Sequence, residues 1–452
     1  MSGWFKGWLL SGIAGKSRQL ISWRRGGGKV EVHELLALCE KLLTGLGEAS
    51  GVAIASEILA GWQGLGPDAR GDFLLALARQ FGPDRALLEQ AIDAYRAKAS
   101  PLAETRLMLA SEPRRQELIR RLNLAPGATA VLVRMREDLF KYLDADPAYA
   151  ALDADFVHLF SSWFNRGFLV LRRIDWTTPA NILDKIIRYE AVHAIDDWDD
   201  LRQRLEPADR RCFAFFHPQL ADEPLIFVEV ALCDEIPKAI EDVLADERKP
   251  ISPHDADTAV FYSISNCQTG LRGISFGNFL IKQVVDELTR ELPRLSTFVT
   301  LSPAPNFASW LTRERSQPEH LDADEIAALA VLDNPDWGKD AVSQEALKRP
   351  LLKAAAAYFL KARTKDGRIV DAVARFHLGN GARLERLDFL GDPSPKGMKQ
   401  SFGLMVNYLY DLADIEENHE AYAAHGQVAS SPDVRKLLEA KSLWNRSPFK
   451  SP

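Results

Sequence analysis

At 452 residues the chain exceeds what one ordinary core organises, so its length predicts two or three domains. Hydrophobic residues make up 46% and charged residues 26%, proportions of a globular protein rather than of a disordered or membrane-embedded one. A net charge of −7 argues against nucleic acid or an anionic membrane as partner, although a local basic pocket can still hold a small anion.

Residues 1–30 carry Lys6 and several glycines, lack a clean apolar core and a small-residue cleavage site, and read as a loosely held arm rather than a signal peptide. No apolar run reaches the roughly 18 residues that span a bilayer. Cys39, Cys212, Cys233 and Cys267 form no C-x-x-C pair and show no zinc spacing, which suits a reducing compartment. The expected location is the cytoplasm.

From Glu31 to about Ile187 the strong patterns are helical. Leu35, Leu38, Cys39, Leu42 and Leu43 form an apolar stripe at helical spacing. Pro67-Asp68 and Pro83-Asp84 have the form of helix starts, proline in the first turn and an acid at the positive end. Further helices are expected over Arg114–Leu122, Ala128–Leu143 and Phe156–Asn165. Short connections between helices predict an all-α bundle, with packing or oligomerisation as its task. The texture changes near residue 190, which divides the chain into 1–190 and 191–452.

Beyond that point strand and helix signals alternate. Arg211–Phe216, Leu225–Cys233 with Glu229 pointing outward, Ala259–Ser265, Ser296–Thr300, Val370–Leu378 and Arg383–Phe389 read as strands. Asn278–Glu291, Ala323–Leu332, Ser343–Lys361 and Pro432–Leu443 read as helices. The predicted class is α+β, helices on a mixed sheet. Asp196, Asp197, Asp199 and Asp200 surround Trp198, and a solvated helix start explains them better than a metal site.

Four local features can carry chemistry. Gln268–Asn278, with its glycines, joins an apolar strand to an amphipathic helix; such a loop suits a pyrophosphate and equally a tight turn. It is neither a Walker A nor a G-x-G-x-x-G sequence. Ser302 ends a strand before a proline, where serine also caps turns, and no G-x-S-x-G elbow surrounds it. His377 is read at a strand end before Gly379-Asn380-Gly381, with His193 and His217 as weaker candidates. Tyr408 and Tyr410 suit either a site or a core.

Taken together, YEAVH (189–193), FYSISNCQTGLRGISFGNFLIKQVV (261–285), TLSPAPNFASWL (300–311), RFHLGNGA (375–382) and GLMVNYLY (403–410) resemble the malonyl-CoA decarboxylase family in order and spacing. That resemblance implies a helical N-terminal domain that mediates a dimer or tetramer, followed by a GNAT-like catalytic domain. It implies malonyl-CoA as substrate and no cofactor, because the thioester is its own electron sink. The CoA pyrophosphate loop maps to Arg272, Gly273, Ile274, Ser275, Phe276, Gly277 and Asn278. Ser275 departs from the acid that similar decarboxylases often carry there, which leaves the backbone role intact and removes any carboxylate role. The family's catalytic serine, histidine and tyrosine map to Ser302, His377 and Tyr410. Ser302 is expected to orient the malonyl carboxylate, and His377, with a pKa near neutrality, to protonate the enolate carbon. The competing readings are an acyltransferase of the same fold and a CoA-binding scaffold without turnover.

Overall fold

The computed structural model describes residues 31–45, 47–245, 247–274 and 280–439. The expected N-terminal arm, residues 1–30, lies outside them, as do Ser275–Asn278 of the loop. The chain packs as two compact units. One holds the residues up to Trp163 together with Thr269–Ile274, and the other holds Phe164–Gln268 and the chain beyond the loop.

The first unit contains the expected bundle. Its helices are Val32–Leu43, Glu48–Gly64, Pro67–Gln80, Arg85–Ala97, Pro101–Ser111, Arg114–Leu122, Ala128–Leu139 and Pro147–Trp163. Local chemistry sets several starts. Pro67 occupies a first turn, Asp84 accepts from the Ala86 and Leu87 amides, and Ser100 accepts from the Ala103 amide. The apolar stripes close on a core that includes Leu35, Ile58, Trp62, Phe73, Leu118, Leu132, Phe156 and Phe160.

The second unit is built on eight strands among the described residues. They are β1 (Val170–Ile174), β2 (Arg210–Phe216), β3 (Pro224–Cys233), β4 (Thr258–Asn266), β5 (Thr297–Thr300), β6 (Ser302–Pro303), β7 (Arg383–Asp388) and β8 (Met405–Leu409). Their order is β1-β2-β3-β4-β5-β8-β6, with β7 also on β8. All pairs are antiparallel except β4/β5, which the helix Leu280–Glu291 connects as a crossover. This is the predicted α+β arrangement, a helical bundle followed by helices on a mixed sheet. The parallel pairing covers only Thr258–Phe261 against Thr297–Thr300. Beyond it β5 gives way to β6, which pairs with β8, and among the described residues the rest of β4 keeps only β3 as a strand partner.

Three sequence expectations are corrected here. Val370–Leu378 is not a strand: Ala372–Gly379 is a helix, started by Asp371, whose side chain accepts from the Ala374 amide. The apolar, β-branched run concealed a strong N-cap. Glu229 does not face outward. β3 is covered on both faces, and Glu229 is fully buried against the Arg204 guanidinium at 3.2 Å. β1 was not anticipated, because Arg172 and Arg173 hide the pattern of this partly exposed edge strand. With β1 in the sheet, the division between units falls at Trp163/Phe164, ahead of the textural change near residue 190. The acidic run does begin a helix: Asp197 accepts from the Asp199 and Asp200 amides at the start of Trp198–Leu205.

Candidate active site

Three elements of the second unit converge on one buried chain of polar groups. Thr300 and Ser302 are two residues apart on extended backbone and therefore share a face, while Leu301 fills the core on the other. Tyr408 and Tyr410 repeat that spacing on β8 and just beyond it, and the Tyr410 amide donates to the Phe298 carbonyl at 2.8 Å. His377 comes from the last turn of the 372–379 helix. Its starting residue Asp371 is fully buried and also receives the Tyr358 hydroxyl at 3.1 Å.

The side chains join end to end. The Ser302 hydroxyl donates to Thr300 Oγ1 at 2.9 Å, and Thr300 Oγ1 also accepts from the Tyr408 amide at 3.2 Å. His377 Nε2 lies 3.2 Å from Ser302 Oγ, and His377 Nδ1 lies 2.8 Å from the Tyr410 hydroxyl. The Tyr408 ring stacks on the imidazole, centroids 4.6 Å apart and planes 23° from parallel. Asn407 donates its amide to the Thr300 carbonyl at 2.8 Å and holds the end of β5 against β8.

One arrangement of protons satisfies every bond in this chain, the roles of the two ring nitrogens following from the tautomer. The single Ser302 hydroxyl proton goes to Thr300, so Ser302 Oγ meets His377 as an acceptor. In that arrangement Nε2 carries the imidazole proton. A neutral ring then offers Nδ1 as an acceptor, which takes the Tyr410 hydroxyl proton. The ring is neutral because burial alone pushes its pKa down to about 3. This corrects the expectation of a pKa near neutrality: His377 is 3% exposed, and no described carboxylate faces it to hold a charge. Burial likewise pushes the Tyr410 and Tyr408 phenols well above their ordinary value and keeps both protonated.

Ser302, His377 and Tyr410 are thus brought together. Thr300, which the sequence does not single out, and Tyr408, which it leaves between site and core, belong to the same chain. The period-two spacings 300/302 and 408/410 were the available signal. The weaker histidine candidates lie elsewhere: His193 is in the turn after the Ala180–Tyr189 helix, with its amide on Glu190, and His217 follows β2. Of the expected phosphate loop, Arg272, Gly273 and Ile274 are described, and they lie in the first unit. Ser275, Phe276, Gly277 and Asn278 are outside the described residues. Arg272 and Gly273 are exposed, and Ile274 is buried. Gly273 has φ of +83°, a conformation that favours glycine.

Fold and site together define a two-unit α+β protein with a buried hydroxyl–imidazole–phenol chain suited to moving one proton. Comparison with known proteins makes the class specific. Residues 81–164 match the N-terminal domain of malonyl-CoA decarboxylase, and residues 167–447 match its C-terminal domain. The mitochondrial malonyl-CoA decarboxylase of the goose Anser anser anser is 35% identical over 404 residues, covering 82% of this chain and 80% of that protein. The crystal structure of malonyl-CoA decarboxylase from Rhodopseudomonas palustris is 63% identical, covers 90% of this chain and 99% of that one, and superposes with a TM-score of 0.87. That from Agrobacterium vitis is 59% identical with the same coverage and a TM-score of 0.86. The chain belongs to the malonyl-CoA decarboxylase family, a family of carboxy-lyases.

Proposed function

We propose that this protein converts malonyl-CoA to acetyl-CoA and CO2, with His377 as proton donor and Ser302 as the group that orients the malonyl carboxylate. The bond to the carboxylate breaks when it lies along the thioester π system. Its electron pair moves onto the thioester as an enolate, and CO2 leaves. The enolate carbon takes the proton from His377 Nε2. The Tyr410 hydroxyl proton moves to Nδ1 in the same event, so the imidazole stays neutral; the Nδ1 proton then returns to the phenolate as solvent delivers a proton to Nε2, which restores the starting tautomer. One proton is consumed per turnover, as conversion of a carboxylate into CO2 and a C–H bond requires.

The observation that carries this reading is the hydrogen-bonded chain Thr300–Ser302–His377–Tyr410, set in a chain of this family. A neutral imidazole is a weak acid in water, yet an enolate carbon is a far stronger base than water, so the donor needs position more than a matched pKa. Ser302 can exchange its bond to Thr300 for one to the carboxylate without losing a partner for its proton. The unpaired side of β4, from Tyr262 to Asn266, offers backbone groups to the amide-bearing arm of CoA, as a sheet edge does to an added strand. The loop Arg272–Asn278 cradles the pyrophosphate. A homo-oligomer formed through the helical region and a cytoplasmic location belong to this proposal.

The test is incubation of purified protein with malonyl-CoA, with and without amine or carrier-protein acceptors. Acetyl-CoA and CO2 in equal amounts without an acceptor are the expected products. Loss of malonyl-CoA only when an acceptor is present makes the protein an acyltransferase, and binding without consumption makes it a scaffold.

A further inference from the structure

The helical unit holds more than its own core: Thr269–Ile274 packs as part of it. The docking face is written on one helix, Ala128–Leu139, and the residue after it. Val133, Arg136 and Phe140 follow at i, i+3 and i+7 and so lie on one side. Gly270 sits so close to this side that a Cβ on it would stand 2.0 Å from the Val133 carbonyl oxygen. Only glycine fits there.

Arg136 is 2% exposed. Its Nη1 donates to the Gly270 carbonyl at 2.8 Å and to the Arg272 carbonyl at 2.9 Å. Its Nε donates to Asp153 Oδ1 at 2.8 Å, which balances the buried charge and fixes the plane of the guanidinium. A trans peptide carries its N–H opposite its carbonyl. With the Gly270 and Arg272 carbonyls turned toward Arg136, the Leu271 and Gly273 N–H groups are turned away from it. The Gly273 amide has no acceptor among the described residues, and Gly273 is exposed. Beside it the exposed Arg272 guanidinium lies 4.3 Å over the Phe140 ring. Arg272 makes no ion pair among the described residues, and stacking on an aromatic face leaves its edge donors free.

We propose that Arg136 is a positioning residue for CoA: it clamps the 270–272 backbone so that the Gly273 amide and the Arg272 guanidinium face an incoming diphosphate. This rests on the reading of the loop as the pyrophosphate cradle. It gives the helical unit a share in substrate affinity, carried by a residue that never touches substrate.

The test uses the full chain and two substrates, malonyl-CoA and the malonyl thioester of N-acetylcysteamine. The second keeps the reacting group and lacks the diphosphate. Arg136→Lys keeps the charge opposite Asp153 but cannot fork to two carbonyls and a carboxylate. Asp153→Asn loosens the clamp without touching the loop. Both variants are expected to raise KM for malonyl-CoA, roughly tenfold for Arg136→Lys, with kcat near wild type. Turnover of the short thioester should match wild type. CoA binding by calorimetry should weaken by the same factor. Equal losses on both substrates, or unchanged KM and CoA affinity, overturn the proposal. If the wild-type chain decarboxylates neither thioester, the proposed function fails, and CoA calorimetry on the two variants alone decides the role of Arg136.

Discussion

His377 has two ring nitrogens with different tasks, and each can be tested by one substitution. His377→Asn removes the Nε2 proton and should lower kcat by about 10²–10⁴-fold, with CoA affinity near wild type by calorimetry. Turnover near wild type in that variant would remove the proton-donor assignment. Tyr410→Phe keeps the ring and deletes the proton that Nδ1 accepts. The imidazole proton is then free to sit on Nδ1, away from Ser302. We expect kcat to fall on the order of 10²-fold, with little change in KM. The pH profile separates a neutral donor from an imidazolium. Burial holds the free enzyme's imidazole at about 3, so kcat/KM should show no ionisation near the ordinary histidine value of 6.5. A loss of kcat/KM as pH rises through that value would mean that the charged ring is the acid.

At the scale of elements, the helix Ala372–Gly379 places His377, and Asp371 starts that helix. Its carboxylate accepts from the Ala374 amide at 2.8 Å and from the buried Tyr358 hydroxyl. Asp371→Ala removes the cap and strands the phenol, at a cost of about 2 kcal/mol or more by urea unfolding. It should lower kcat, because the turn that carries His377 loses its anchor. Asp371→Asn should recover much of both. Loss of stability with unchanged kcat would make Asp371 merely structural. This element also shows why the sequence was only partly legible. RFHLGNGA singles out His377 as a candidate, yet VDAVARFHL reads as a strand on composition alone. An Asp followed by Ala-Val-Ala is the cap signal that the apolar residues masked. The bundle helices were legible because proline, aspartate and serine mark their starts on a helical apolar period. Glu229 misled for the opposite reason: one charge in an apolar run looks like alternation, and its partner Arg204 is too far along the chain to pair by inspection. Ser302 and Tyr410 stand out as candidates through motifs. Thr300 and Tyr408 gain their place only when β5, β6 and β8 come together.

For the whole molecule, burying titratable groups ties stability to pH, and His377 contributes a term of known sign. In the unfolded chain its imidazole titrates near 6.5, and in the folded protein near 3. Between those values the unfolded chain holds a proton that the folded one does not. Folding therefore loses up to about 1.4 kcal/mol per pH unit as pH falls below 6.5, and loses nothing from this group above it. His193, held down to about 4 mainly by burial, acts in the same direction, and it is common to wild type and to any variant at position 377. Asparagine does not titrate, so the His377→Asn protein lacks one of these two proton-linked losses. Urea unfolding of both substrate-free proteins at two pH values isolates that single proton. Whatever the two differ by at about pH 7, wild type should lose about 2 kcal/mol more than the variant on going to about pH 5. Parallel curves would mean that His377 is already able to charge in the folded protein. The neutral Nε2–H donor, and with it the proton path from Tyr410, would then have to be abandoned.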